Sequence, residues 1–210
     1  MAEMAGAFEI FGKKESGGVE KWTINEAGEY LLRQTPGIVI FDNDFTLKPA
    51  AYELGMGGKE PGRLPEESMQ LLRDLRVKGW HVRVVTNQPK EGHQVARWVR
   101  KAKKASYPIF PSSVKEELGD EGVDGAGKDF LWNKYKKSSE AIARTVAWIE
   151  EYIDVPGAIY FVGDRESDVD FANRVREELV KKGIVKEVRV LTVEGLVLPK
   201  KLKALEKVIP

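Results

Sequence analysis

The sequence contains no cysteine and only two histidines, His81 and His93. The lack of cysteine excludes disulfides, zinc–thiolate sites, iron–sulfur clusters and thiol nucleophiles. Two histidines are too few for a multi-histidine metal centre. Any bound metal ion is therefore expected to be a hard cation that carboxylate oxygens hold.

Long apolar runs and an excess of charge of one sign are also lacking. No run approaches the roughly 18 residues that a membrane-spanning helix needs, and residues 1–18 do not resemble a signal peptide. The 34 Lys and Arg residues nearly balance the 33 Asp and Glu residues, which leaves a net charge of +1. This balance favours neither a nucleic-acid binder nor a binder of acidic substrates. We therefore expect a cytoplasmic protein without a membrane segment.

The chain has enough apolar residues for a substantial core, since 42% of its 210 residues are hydrophobic. This length suits a single domain over residues 1–210. Three apolar runs predict strands at Ile38–Phe41, Trp80–Val85 and Ala158–Val162. Strands of this kind, buried on both faces and separated by helices, indicate βαβ units. We predict an α/β fold with a doubly wound, Rossmann-like parallel sheet in a three-layer sandwich.

Weaker patterns complete the predicted order of elements. Further strands are expected at 107–110 and 187–192. Helices are predicted at 22–33, from Pro65 to Gly79, at 91–104, after a cap at Ser138 or Ser139, from 165 to about 182, and at 199–207. Three segments lack a regular pattern, and we expect a loose N-terminal segment at 1–20, a Gly- and Pro-rich flap loop at 48–64 and an irregular insertion at 105–135.

Polar side chains follow the three most apolar strands directly. They are Asp42 and Asp44, then Thr86 and Asn87, then Asp164 and Asp168. Because the carboxyl ends of parallel strands share one edge of a sheet, we expect these side chains to converge there. Four carboxylates in one place repel one another strongly, and a divalent cation relieves that repulsion. Oxygen-only ligands point to Mg²⁺.

The same residues suit phosphoryl transfer. Asp42, at the tip of a buried strand, can attack phosphorus and form an aspartyl-phosphate. Asp44, two residues further on, can protonate the leaving alkoxide and later deprotonate water. Thr86 and nearby backbone N–H groups can hold the phosphoryl oxygens, and a lysine is needed to offset the remaining negative charge.

Three sequence motifs resemble those of the haloacid dehalogenase superfamily. IVIFDNDFTL at 38–47 resembles the first motif, an apolar strand followed by DxDx[TV]. VRVVTNQ at 82–88 is similar to the second motif, and IYFVGDRESDVDFA at 159–172 is similar to the fourth, GDxxxD before a helix. The TNQ triplet is also similar to that of histidinol-phosphate, heptose-bisphosphate and polynucleotide 3′-phosphatases. The resemblance implies the fold of that superfamily.

The resemblance also implies a role for each matching residue. Asp42 is then the nucleophile and a metal ligand, and Asp44 is the acid/base with its carbonyl on the metal. Thr86 binds the phosphoryl group, Asp164 is a metal ligand, and Asp168 supports the metal or the lysine. The motif lysine is expected at Lys137, before the helix cap, with Lys136, Lys134 and Lys128 as alternatives. The neighbouring residues expected to bind substrate are Asn43, Phe45, Asn87 and Gln88.

These patterns predict a Mg²⁺-dependent phosphomonoester hydrolase that acts on a small phosphorylated substrate through an aspartyl-phosphate. A polynucleotide 3′-phosphatase is the first alternative, because of the TNQ triplet and a basic helix at 97–104 that suits nucleic acid. A non-catalytic phosphate-binding scaffold is the second. The superfamily inserts cap domains after the first motif or between the second and third. Both spaces are short here, so we expect little or no cap.

Overall fold

A computed structural model of the protein describes residues 7–11, 13–15, 18–44, 46–48, 64–89, 112–126 and 135–194. The strands are β1 (Phe8–Phe11), β2 (Lys13–Glu15), β3 (Gly18–Glu20), β4 (Ile38–Phe41), β5 (His81–Pro89), β6 (Val123–Ala126), β7 (Ile159–Gly163) and β8 (Val188–Thr192). The helices are α1 (Ile24–Arg33), α2 (Glu66–Val77), α3 (Ser112–Leu118), α4 (Ser139–Glu151) and α5 (Glu166–Lys181). A 3₁₀ helix spans Tyr135–Lys137.

Six strands form one sheet in the order β1-β8-β7-β4-β5-β6, and every neighbouring pair is parallel. From β4 the chain adds β5 and β6 on one side, then returns to add β7 and β8 on the other. This reversal places β4 between β5 and β7, where Phe41 is in register with both Val84 and Val162. The predicted parallel, Rossmann-like α/β sheet is confirmed.

Each face of the sheet carries its own hydrophobic core. Side chains of β4 alternate between the two, so that Val39 and Phe41 pack on one face while Ile38 and Ile40 pack on the other. Helices α1, α2 and α3 cover the first face, and α4 and α5 cover the second. All four β4 residues are buried, as the continuous apolar run predicts.

Helices α1 and α4 begin at residues whose side chains cap them. The hydroxyl of Thr23 accepts a hydrogen bond from the Glu26 backbone N–H, and the Glu26 carboxylate accepts one from the Thr23 backbone N–H. Ser138 caps α4 by accepting a hydrogen bond from the Ala141 N–H at 3.1 Å. Of the two caps predicted for α4, Ser138 is therefore the one used.

The expectation of a loose N-terminal segment at 1–20 is wrong for its described residues. Phe8–Phe11 forms the edge strand β1, paired with β8 in parallel register. Strands β2 and β3 then form an antiparallel ribbon, and Trp22 rejoins the extension of β8 at Val193. The partner that orders β1 lies almost at the other end of the chain, and no local pattern reveals it.

The expectation of an irregular insertion at 105–135 is also corrected in part. This segment contains α3 and the sheet strand β6, whose Val123 is buried against the first face. The sequence of β6, VDGA, contains Asp and Gly, which are depleted in strands. Its pairing with β5 supplies the order that its composition does not indicate.

Several predicted features lie outside the described residues. They are the strand at 107–110, the helices at 91–104 and 199–207, the basic residues at 97–104, and the flap loop from 49 to 63. The prediction of little or no cap therefore remains a prediction. None of the helices in the described ranges combines the length and the apolar composition that crossing a membrane demands.

Two glycines bring the loops before β4 and β7 into direct backbone contact. A Cβ on Gly37 would lie 2.3 Å from the carbonyl oxygen of Ala158, and a Cβ on Gly157 would lie 2.5 Å from that of Pro36. Neither oxygen can move without shifting the start of a central strand. These glycines thereby fix the distance between β4 and β7.

We predict that Gly37→Ala lowers the free energy of unfolding by about 1–3 kcal/mol, because the new methyl group meets backbone that cannot repack. Gly28→Ala is the matched control, since its Cβ meets only the tip of the Leu71 side chain. Chemical denaturation of both variants measures the effect. Equal losses of stability in the two would contradict this reading of the loop contact.

Candidate active site

The carboxyl ends of β4 and β7 place two acidic side chains side by side. Asp42 directly follows β4, and its backbone N–H donates to the Val162 carbonyl oxygen at 2.8 Å. Asp164 directly follows Gly163 at the end of β7. The next strand on the other side, β5, contributes Thr86 and continues beyond it to Pro89. The carboxyl ends of these three strands therefore meet at one edge of the sheet, as the sequence predicts.

Three buried carboxylates meet at this edge. One oxygen each from Asp42, Asp164 and Asp168 lie within 4.8 Å of one another. The hydroxyl of Thr46 lies 3.5 Å from Asp42 Oδ2 and 3.4 Å from Asp164 Oδ1, and donates between them. Thr46 occupies the [TV] position of the first motif, which could have revealed it, although the sequence suggested no role for it.

A buried lysine lies between two of these carboxylates. Lys136 Nζ forms an ion pair with Asp42 Oδ1 and a second one with Asp168 Oδ1 at 2.9 Å. Lys136 is only 3% exposed. Its ammonium group supplies the positive charge that the acidic cluster requires.

The preference for Lys137 is therefore corrected to Lys136. Lys137 is exposed, and its carbonyl oxygen accepts a hydrogen bond from Arg174. Both lysines belong to the 3₁₀ helix, in which successive side chains diverge by about a third of a turn. Only one of two adjacent lysines can then face the sheet. The remaining candidates, Lys134 and Lys128, lie outside the described residues.

Asp168 combines a structural role with a place in the cluster. Its Oδ2 accepts a hydrogen bond from the Arg165 N–H at 3.1 Å and so caps α5, while its Oδ1 faces Lys136. Gly163 makes room for this arrangement, since a Cβ there would lie 2.5 Å from the Asp168 Cβ. Both oxygens of Asp168 are thus engaged within the protein.

Asp44 is half-buried and lies beside β5. Its Oδ1 accepts from the Asn43 side-chain amide at 3.0 Å, and its Oδ2 accepts from the Thr86 hydroxyl at 3.3 Å. Lys48, which is fully buried, places a positive charge near this carboxyl group. No feature of the sequence singles out Lys48, because its burial depends on the turn that follows β4.

The residues expected to bind substrate are only partly described. The Asn87 side-chain oxygen accepts a hydrogen bond from the Lys136 backbone N–H at 2.9 Å. Asn87 therefore links β5 to the 3₁₀ helix that carries Lys136. The Asn43 side-chain amide instead donates to the Asp44 carboxylate. Phe45 and the side chain of Gln88 lie outside the described residues. Substrate binding by these four residues remains a prediction.

Burial makes the acidic groups of this edge costly to ionise. Burial raises the pKa of Asp42 well above its usual value, and the charges of Asp168 and Asp44 add to this effect while Lys136 opposes it. Burial also raises the pKa of Asp164, with a further contribution from Asp168. The pKa of Asp44 is raised by burial as well.

Burial has the opposite effect on the pKa of Lys136. Burial alone lowers the pKa of its ammonium group, but the Asp42 and Asp168 carboxylates more than offset this, so the pKa is raised overall. The lysine therefore stays protonated between them.

The charge of the cluster fits a divalent cation. With Asp44 protonated, the three carboxylates of Asp42, Asp164 and Asp168 still exceed the two buried ammonium groups of Lys136 and Lys48 by one negative charge. The side chains of Lys21 and Arg165 near Asp164 are exposed, so solvent screens their charges. Asp42 Oδ2 and Asp164 Oδ1 both lie beside the Thr46 hydroxyl, whereas Lys136 contacts the other oxygen of Asp42. Hard oxygen ligands with this excess charge suit Mg²⁺.

No model of a known protein family matches the chain, and no curated protein matches it.

We predict that Asp164→Asn stabilises the metal-free protein by on the order of 1 kcal/mol, seen as a rise in Tm of roughly 2–4 °C. The neutral amide removes a charge that burial and Asp168 disfavour. The same variant is expected to lose the rise in Tm that Mg²⁺ gives the wild type. Differential scanning fluorimetry in chelator and in Mg²⁺ measures both effects.

Asp170→Asn is the matched control, because Asp170 is exposed on α5. It is expected to change neither the metal-free Tm nor the response to Mg²⁺. A destabilised Asp164→Asn variant that still responds to Mg²⁺ would contradict the assignment of Asp164 to a cation site.

Proposed function

We propose that the protein is a Mg²⁺-dependent phosphomonoester hydrolase of the haloacid dehalogenase type that acts through an aspartyl-phosphate on Asp42. One observation carries the proposal: the Asp42 carboxylate, at the tip of the strand in the middle of β5, β4 and β7, lies between Lys136 and Asp164. The three motifs that resemble the superfamily follow one another along the chain on β4, β5 and β7. They supply the residues of this sheet edge, apart from the lysines.

The first half of the reaction transfers the phosphoryl group to the protein. An Asp42 carboxylate oxygen attacks phosphorus, and the bond between phosphorus and the ester oxygen breaks. Asp44 gives its proton to the departing alkoxide, which leaves as an alcohol. The raised pKa of Asp44 favours the protonated form that this step requires.

The second half returns the protein to its starting state. Asp44, now a carboxylate, takes a proton from water as the water oxygen attacks phosphorus. The bond between phosphorus and the Asp42 oxygen breaks, and inorganic phosphate leaves. Asp42 is again a carboxylate and Asp44 again carries its proton, so atoms and charges balance over the cycle.

The surrounding residues hold the reacting groups in place. Lys136 fixes the Asp42 carboxylate, which restricts the direction of attack. The Thr86 hydroxyl donates to Asp44 at 3.3 Å and would contact a phosphoryl oxygen between the two acids. Asp42 and Asp164, with the Asp44 carbonyl, would hold Mg²⁺. When bound, this cation neutralises the phosphoryl oxygens and so lowers their repulsion from Asp42.

We predict that Asp42→Asn abolishes phosphate release from p-nitrophenyl phosphate, because an amide of the same shape cannot attack phosphorus. Asp44→Asn is expected to behave differently. It should still accept the phosphoryl group from this activated ester, whose leaving group needs no proton, but should hydrolyse the intermediate slowly. Mass spectrometry of the quenched Asp44→Asn protein should then find one added phosphoryl group on Asp42.

Asp170→Asn again serves as the control and should keep full activity. Retention of more than a few per cent of wild-type turnover by Asp42→Asn would contradict the assigned nucleophile. A phosphoryl group found on another residue would do the same.

We predict that EDTA removes the activity, that Mg²⁺ restores it and that Ca²⁺ inhibits. Ca²⁺ accepts more ligands and a looser geometry than Mg²⁺, so it would misplace Asp42 relative to phosphorus. Phosphate release, measured at a fixed ionic strength in each cation, checks all three results. Full activity in excess chelator would refute the metal requirement.

A polynucleotide 3′-phosphatase remains the alternative within the same chemistry, because the TNQ triplet contributes Thr86 and Asn87 to this edge. Activity on a 3′-phosphorylated oligonucleotide far above that on sugar phosphates and nucleotides would favour it. A non-catalytic phosphate-binding scaffold would bind phosphate but release none from any of these esters.

A further inference from the structure

A second buried polar cluster lies behind the candidate active site, on the face of the sheet that α4 and α5 cover. The hydroxyl of Tyr135 lies 2.8 Å from both carboxylate oxygens of Asp124. Tyr135 is fully buried and Asp124 is 1% exposed. The proposed phosphoryl transfer uses neither residue.

Two arginines lie beside the Asp124 carboxylate. The Arg83 guanidinium lies 3.5 Å from Asp124 and stacks over the Trp148 ring at 5.1 Å. Arg144 lies 3.4 Å from the other oxygen of Asp124 and is half-exposed. Asp124 is therefore a fixed acceptor on β6, held in place from both β5 and α4.

The Tyr135 hydroxyl is suited to act as a hydrogen-bond donor to Asp124 because it does not readily lose its proton. Burial raises the pKa of Tyr135, and the neighbouring Asp124 carboxylate raises it further. The hydroxyl therefore keeps its proton at neutral pH. A charge-assisted hydrogen bond of this kind is stronger than one between neutral groups.

Tyr135 is the residue immediately before Lys136 in the 3₁₀ helix. Its hydrogen bond to β6 and the bond from the Lys136 N–H to Asn87 on β5 fasten this short helix to two strands. The Lys137 carbonyl accepts from Arg174 on α5 at 2.7 Å, which fastens its other end. The rotation of the 3₁₀ helix about its axis determines whether Lys136 or Lys137 enters the acidic cluster. Because these contacts fix that rotation, they also determine which lysine enters.

We propose that Tyr135 and Asp124 are positioning residues that hold the Lys136 ammonium between Asp42 and Asp168. This inference deepens the proposed function and rests on it for the kinetic test alone. Without the tyrosine hydroxyl, the 3₁₀ helix loses its hydrogen bond to Asp124 on β6 and is freer to rotate. Lys136 then spends less time between the two carboxylates.

The kinetic test compares Tyr135→Phe with Tyr160→Phe. Each substitution removes one tyrosine hydroxyl. The Tyr160 hydroxyl lies on the opposite face of the sheet, where it accepts a hydrogen bond from Arg189 at 2.8 Å. We expect kcat on p-nitrophenyl phosphate to fall roughly 10- to 100-fold in Tyr135→Phe and to change less than twofold in Tyr160→Phe, by the same principle of supporting contacts. Equal kcat values in the two variants would overturn the proposal.

A double-mutant cycle shows whether Tyr135 acts through Lys136. In a Lys136→Met background, Tyr135→Phe should cause little further loss of kcat, since the group it positions is gone. Losses that multiply in the double variant would show an independent structural role and overturn the proposal.

A spectroscopic test needs no enzyme activity and so separates this inference from the proposed function. In protein labelled with ¹⁵N-lysine, the Lys136 ammonium signal is identified by its loss in Lys136→Met. We expect this signal to shift or broaden in Tyr135→Phe and in Asp124→Asn, but to be unchanged in Tyr160→Phe. The Asp124→Asn variant provides a second route should Tyr135→Phe fold poorly. An unchanged Lys136 signal in a folded variant would overturn the proposal, even if wild-type protein hydrolyses phosphate esters.

Discussion

The paired salt bridges from Lys136 to Asp42 and Asp168 are the interaction on which the rest of this edge depends. Burial raises the pKa of Asp42, and neighbouring carboxylates add to that effect, so an ionised Asp42 needs a fixed positive charge. Removing one partner from a buried ion pair of this kind costs about 3–5 kcal/mol. The lysine also ties the 3₁₀ helix to the strand end and to the start of α5. One ammonium group thereby joins three elements and, in the proposed function, sets the charge that a divalent cation would balance.

Much of this arrangement could be predicted from the sequence, because it depends on local patterns. The run IVIF marks β4 as buried on both faces, and polar residues directly after it mark the end of the strand. The same pattern places Thr86 and Asp164 at the ends of two further strands, and the structure shows both of these strands beside β4. The convergence of Asp42, Asp164 and Asp168 follows from parallel topology alone.

The features that could not be predicted depend on distant contacts. Strand β1 is ordered by β8, and β6 is ordered by β5 despite a composition unlike that of a strand. The choice of Lys136 over Lys137 depends on the rotation of one 3₁₀ turn, which Asp124, Asn87 and Arg174 set from three other elements. The burial of Lys48 near Asp44 likewise depends on how the chain turns back after β4, whereas the motif position of Thr46 could have indicated its place in the cluster.

The most direct test is a crystal structure of the protein with Mg²⁺ and beryllium fluoride, which mimics a phosphoryl group on a carboxylate. We predict a fluoroberyllate bonded to an Asp42 oxygen, Mg²⁺ held by Asp42 and Asp164, and Lys136 beside the same group. The Thr86 hydroxyl should donate to one of its fluorides. A fluoroberyllate on another residue, or a cluster that takes up Mg²⁺ while Asp42 stays unmodified, would contradict the role of Asp42 as the nucleophile.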